Sequence, residues 1–283
     1  MANIHPSAIV DPSAQIAEGA EIGPFSIIHG NVAIGAGTKL HSSVVIGEWT
    51  EIGENNEIFP GAVIGVAPQD LRYSGERAYT RIGNRYVIRE YVTIHRASDA
   101  EGVTSIGDDN LLMAYTHVAH NCILGNQIVI ANSVGIAGHV EIEDQAVLGG
   151  MCGLHQFVRV GKLAMLGGMA QIRQDIPPYA MVDGQPARVF GMNIRGMQRR
   201  GIDKESRQAL KSCYRLILQS GLNLTQAINS IKANVEQTDE VAHLVKFLES
   251  PSKMGVCIRE PDHRRERRQK ARPLKVQVEA ANC

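Results

Sequence analysis

Aromatic residues make up only 5% of this 283-residue sequence, with one Trp, five Phe and seven Tyr. A layered globular core of this size leans on large aromatic side chains, so such a core is not expected. An excess of one charge is missing too. The 29 Lys and Arg balance 29 Asp and Glu, which removes the basic footprint of a general nucleic-acid binder. No apolar run approaches the roughly 18 residues of a membrane span, and Met1-Ala-Asn-Ile-His-Pro lacks the basic and apolar blocks of a secretory leader. The five cysteines (Cys122, Cys152, Cys213, Cys257, Cys283) form no Cys-X-X-Cys pair, so neither a disulfide framework nor a zinc ribbon is indicated. A soluble cytoplasmic protein is the expectation.

What the sequence does have is a repeat. Counting in sixes from Ile4, every slot to Ile64 is aliphatic, and the register returns at Ile82, Ile88 and Ile94 and runs unbroken from Ile106 to Ile172. Of 29 slots, 26 hold Ile, Leu or Val, where 69 such residues in 283 would fill about seven by chance. A period of six fits neither a helix nor plain strand alternation. It fits a β-solenoid in which each hexad is a short strand plus a corner, and three hexads close an 18-residue triangular coil. Two positions before each aliphatic slot a second side chain faces inward, and it is mostly small or β-branched, as at Ala20, Ser26, Thr38, Cys122, Cys152 and Ala170. A thin prism leaves no room for aromatics. The two cysteines belong to this core. Glycine often follows the aliphatic residue (Gly23, Gly35, Gly47, Gly149), as a corner needing permissive φ would favour. Coils about 4.8 Å apart give about nine coils and a rod of roughly 45 Å.

The register fails at Asp70, Glu76 and Ala100. Those slots lie in two polar segments, 66–81 and 96–105, which read as loops thrown out from the prism, where function tends to sit. The solenoid is expected over 1–185. Helical spacing then appears at Leu210, Cys213, Tyr214 and Ile217, with Asp203 as N-cap and Gly221 as stop, and again at Leu224–Ile231 and Val241–Leu248. The fold class is therefore an all-β solenoid with a small C-terminal α-helical domain, 186–259, covering one end of the rod. Residues 260–283 read as a basic tail.

Chemistry should lie on the outer wall. Residues 18 apart stack on adjacent coils, which aligns His120, Gly138 and Gln156 in one column and Asn121, His139 and Phe157 in the next. An imidazole can take a hydroxyl proton near neutrality, and a glycine lets substrate approach its N–H. Exposed histidine ladders are the bland alternative, expected for His29, His41 and His95. Phase alone also leaves open a zinc site shared between coils or chains.

The hexads, Pro68-Gln-Asp-Leu-Arg-Tyr73, Val92-Thr-Ile-His-Arg96, His117-Val-Ala-His-Asn121, Ala137-Gly-His-Val140, His155-Gln-Phe157 and Gly191-Met-Asn-Ile-Arg-Gly-Met-Gln-Arg-Arg-Gly201 occur in that order. Together they closely resemble the acyl-ACP:UDP-N-acetylglucosamine O-acyltransferases that open lipid A biosynthesis, over about residues 1–259. Single hexads are shared by many acyltransferases; the ordered set is far more specific.

The resemblance implies a left-handed parallel β-helix and a homotrimer with sites between chains. It implies transfer of an (R)-3-hydroxyacyl group from the phosphopantetheine of acyl carrier protein to the glucosamine 3-hydroxyl of UDP-N-acetylglucosamine, with no cofactor or metal. His120 matches the family's base, and Gly138 the glycine whose N–H faces the oxyanion. Gln69, Asp70, Arg72, His117, Asn121, His139 and Gln156 match positions around the sugar and phosphates. His155, Asn193, Arg199 and Arg200 match those that hold the nucleotide. Gly168 falls where the family limits acyl length, and a glycine there implies a longer chain. Two departures stand out: relatives often carry Asp where this chain has Asn121, and Glu where it has Arg195. An amide accepts a hydrogen bond but supplies no charge. The competing readings are an N-acyltransferase acting on a 3-amino sugar nucleotide, a zinc-dependent hexapeptide hydratase, and a non-enzymatic scaffold.

Overall fold

The computed structural model describes residues 1–258; the expected basic tail lies outside the described residues. Among the described residues, three sheets of eleven, nine and eight strands form the three sides of a prism. Most strands are two residues long, and their parallel pairing puts Ile4 beside Ile22, Val10 beside Ile28 and Ile16 beside Ile34, an 18-residue coil. The aliphatic slot is buried from Ile22 to Ile172, and the small slot with it, Cys122 and Cys152 included. Their thiols donate to the carbonyls of Ala137 and Gly167. Tyr86 overturns the expectation that no aromatic fits inside: it occupies a small slot and is fully buried. Its neighbours in the stack are Asn56 and Asn110, which leave it space and tie the coils together through the Tyr86 and Ile128 amides.

The role expected for the repeat glycines is also corrected. Left-handed φ recurs at a different corner position, held by Phe25, Asn31, Ser43 and Trp49 with φ between 55° and 60°. Gly23 and Gly35 are glycine for another reason. A β-carbon on Gly23 would stand 2.6 Å from the carbonyl carbon of His41, and one on Gly35 would stand 2.5 Å from that of Gly53. The next coil lies too close for a side chain.

Two insertions break the spacing without breaking the phase. Glu57 pairs with Val87 and Ile64 with Ile94, thirty residues on, whereas Thr93 pairs with His117 and Ile82 with Ile106, twenty-four on. The first loop therefore adds twelve residues and the second six, both multiples of the hexad, so the core register survives. Both loops leave at the same edge of the prism, between the second and third sheets, on successive coils. The next turn on that edge, after strand His117–Val118, carries His120.

At the C-terminal end, strand Ala180–Gly184 extends the first sheet in parallel and strand Ala187–Met192 closes it as an antiparallel hairpin. Helices α1 (Ile194–Arg199), α2 (Lys204–Gln219), α3 (Leu224–Asn234) and α4 (Asp239–Glu249) follow. Asp203 caps α2 by accepting from the Ser206 amide, which places a carboxylate at the positive end of the helix dipole. The helices dock through the Tyr214 hydroxyl, which donates to the Pro178 carbonyl, and through His243 on Glu143. Buried Asp175 accepts from the Arg159 amide and guanidinium, while its own backbone pairs with Cys257. No helix among the described residues is long and apolar enough to cross a membrane.

Candidate active site

Corners build the site. Asn121, His139 and Phe157 each occupy a left-handed corner, at φ of 59°, 58° and 66°. That geometry throws the side chains out on successive coils, where His139 stacks on Phe157 with ring centroids 4.8 Å apart. One residue earlier, His120 and Gly138 are neighbours. A β-carbon on Gly138 would lie 2.6 Å from His120 Nε2, so the glycine backbone presses against the edge of the ring. His139 meets that ring edge-on at 5.2 Å. The Gly138 N–H donates to no group among the described residues.

The two loops enclose the imidazole from below. From the second, Ser98 Oγ lies 3.2 Å from His120 Nδ1, and Asn121 Oδ1 lies 2.8 Å from the same nitrogen. From the first, Asp70 Oδ2 lies 3.8 Å from Nε2. Asp70 also accepts from the Arg72 guanidinium at 3.0 and 3.2 Å, and those bonds hold its carboxyl well below the usual carboxylate range. It is therefore an anion at neutral pH, facing a ring that becomes a cation when it takes a proton. Nε2 has no hydrogen-bond partner among the described residues. His120 is buried, with 4% of its surface exposed, yet its ring opens onto a cavity of about 770 Å³.

That cavity collects Gln69, His117, His120, Gly138, His155 and Gln156. Asp70, Arg72, Asn121 and His139 stand beside it, through their contacts with His120 or with one another. Gly135 and Gly153 form a bare floor: a β-carbon on either would meet nothing within 4 Å among the described residues. Four of the expected residues do not join. Arg199 and Arg200 are exposed on or just after α1, and Arg200 donates to Gln127 instead. Gly168 lies outside the cavity, against the Gly150 carbonyl. Asn193 is the fourth: it is buried as the N-cap of α1, accepting from the Gly196 amide at 2.9 Å and donating to the Leu163 carbonyl at 3.0 Å.

Among the lining residues that were not expected, two carry titratable or charged side chains. His95, assigned to an exposed ladder, is buried and lines the cavity, with His117 edge-on at 4.9 Å. Burial, then the neighbouring His117 and His120, lowers its pKa to about 4; burial also lowers that of His117. Arg173 is the second. The signal for both was the phase: His95, Ala119, Ala137, His155 and Arg173 fall in one column, with the six-residue insertion masking the first step. No group of three His, Cys, Asp or Glu among the described residues converges as a metal site.

Residues 175–257 match a family model described as UDP-N-acetylglucosamine O-acyltransferase, domain 2, and residues 104–138 match the bacterial transferase hexapeptide model. The acyl-[acyl-carrier-protein]–UDP-N-acetylglucosamine O-acyltransferase of Thermodesulfovibrio yellowstonii is 47% identical over 258 residues, covering 91% of this chain and all of the relative. The chain belongs to this O-acyltransferase family. Among solved structures, LpxA from Acinetobacter baumannii superposes with a TM-score of 0.87 at 47% identity, over 90% of this chain and 99% of that one. The Francisella novicida UDP-N-acetylglucosamine acyltransferase gives 0.88 at 38%, over 98% and 100%. The prism is thus the left-handed β-helix of these O-acyltransferases, and the hydratase and scaffold readings give way to an acyltransferase of this family.

Proposed function

We propose that this O-acyltransferase moves an (R)-3-hydroxyacyl group from acyl carrier protein to the glucosamine 3-hydroxyl of UDP-N-acetylglucosamine, the first step of lipid A biosynthesis, with His120 as general base. The observation that supports the base assignment is that, at one corner of the cavity, neither Nε2 nor the Gly138 N–H has a hydrogen-bond partner among the described residues. A sugar hydroxyl is a weak nucleophile until a positioned base takes its proton. The 3-oxygen bonds to the thioester carbonyl carbon as its proton passes to Nε2. The carbonyl electron pair moves onto oxygen, which the Gly138 N–H receives. Collapse breaks the C–S bond, and the imidazolium proton goes to the departing phosphopantetheine thiolate. Asp70 stabilises the imidazolium between those steps, and Gln69, His117 and Gln156 hold the sugar.

The working unit is a homotrimer. Arg173 is the one permanently cationic side chain lining the cavity among the described residues, and a diphosphate calls for more. Arginine forks give bidentate, charge-assisted bonds to such groups. Arg199 and Arg200 of a neighbouring copy supply them, which accounts for their standing away from the cavity of their own chain. Incubation of the purified protein with a panel of 3-hydroxyacyl-ACPs and UDP-sugars, read by mass spectrometry, tests the assignment. An ester of UDP-N-acetylglucosamine is the expected product. An amide formed only on a 3-amino sugar nucleotide would contradict it.

A further inference from the structure

His120 lacks a carboxylate beside Nδ1, and the structure shows what stands there instead. Asn121 Oδ1 accepts from the Ser98 backbone N–H at 3.1 Å and lies 2.8 Å from His120 Nδ1, while Nδ2 donates to the Asp99 carboxylate. The shape of an amide does not distinguish its ends; its partners do. A backbone N–H is a fixed donor and an ionised carboxylate only accepts, so both neighbours demand the same orientation. With Oδ1 turned to the ring, Nδ1 must carry the hydrogen. The lone pair is then left on Nε2, the nitrogen that faces Gly138 and the cavity. The Ser98 hydroxyl, 3.2 Å from Oδ1, completes the same set of donors.

We infer that Asp99 is a positioning residue for His120: through the Asn121 amide it fixes the tautomer that leaves Nε2 free, and it sets a negative charge one amide removed from the ring. Asp99 and Asn121 together do the work of a single carboxylate. The inference rests on His120 being the base. Ser98 and Asp99 both come from the six-residue insertion, which gives that loop a task at the reaction centre. Outer groups that orient a metal-bound histidine matter by about tenfold or more, and a comparable effect is expected for a histidine that must present one tautomer as a base.

A kinetic square tests this, using wild type, Asp99→Ala, Asn121→Asp and the double variant, with UDP-N-acetylglucosamine and 3-hydroxyacyl-ACP. Asp99→Ala should lower kcat roughly tenfold with the KM for the nucleotide sugar nearly unchanged. In the Asn121→Asp background the sign should reverse. A carboxylate then touches Nδ1 directly and Asp99 is a like charge beside it, so its removal leaves kcat equal or higher. Equal losses in both backgrounds would show a merely structural loop contact and overturn the inference. Nitrogen-15 NMR of the imidazole, assigned with His120→Gln, reads the tautomer without any substrate. One tautomer protonated at Nδ1 is expected in wild type and a mixture in Asp99→Ala; an unchanged spectrum would also overturn it. Failure of wild type to acylate the sugar, with the tautomer shift present, would count against the functional reading and not against this one.

Discussion

The backbone of Gly138 lies so close to the His120 ring that a β-carbon there would stand 2.5 Å from Cε1 and 2.6 Å from Nε2. Gly138→Ala must therefore push the imidazole off its position. The expected result is a fall in kcat of roughly a hundredfold or more, comparable to losing an oxyanion donor, with a melting temperature close to wild type. Activity within threefold of wild type would show that the ring need not stand there.

Gly135 and Gly153 present the opposite case, since none of the described residues lies within 4 Å of a β-carbon at either. Gly135→Leu should fold as well as wild type and fill part of the cavity floor. Calorimetry should show weakened binding of UDP-N-acetylglucosamine or of the acyl donor. Unaltered affinity for both would remove the cavity from the substrate path.

Protonation of His95 should cost stability. Its pKa is lowered to about 4 by burial and by the neighbouring His117 and His120, whereas an unfolded histidine titrates near 6.5. Between those values the unfolded chain binds a proton that the folded chain refuses. Its contribution is thus fully present above about pH 6.5 and falls as the pH drops towards 4. From pH 7 to pH 5 the loss is roughly 2 kcal/mol from this group. His117, lowered for the same reason, adds to the slope, so urea unfolding should be compared between wild type and His95→Gln. The variant should lose less stability over that range; parallel curves would contradict the assignment.

The two kinds of corner position should respond differently to substitution. Gly35→Ala puts a methyl group against the Gly53 carbonyl and should destabilise by about 1–3 kcal/mol. Ser43→Gly, at a corner with φ of 57°, removes a left-handed strain of about 1 kcal/mol against a similar gain in chain entropy. Its urea midpoint should stay near wild type.

The fold was legible because one constraint repeats: every coil must fill the same narrow triangle, so the aliphatic slot recurs from Ile4 to Ile172. Insertions of twelve and six residues even preserve that count. The column of His120, Gly138 and Gln156 followed from phase alone. What phase could not give was depth and direction. His95 looked like a ladder residue because the six-residue insertion hid its alignment with Ala119 and His155. Asn193 carries a polar amide that the sequence offers equally to a ligand or to a helix end, and its capping of α1 could not be read from the motif alone. Gly35 looked like a corner glycine because close approach between coils leaves no mark within a single coil. The contacts of Asp70, Ser98 and Asp99 with the corner depend on how two loops fold back, and no periodicity encodes that.

Rapid-quench measurement of a single turnover, with wild type and His120→Ala each saturated with 3-hydroxyacyl-ACP and UDP-N-acetylglucosamine, tests the role of His120 most directly. Wild type should form the 3-O-acyl ester. The variant should bind the nucleotide sugar with similar affinity yet form ester slower by a factor of about 10²–10⁴, the span of a lost general base. Ester formation by the variant at the wild-type rate would contradict the role assigned to His120.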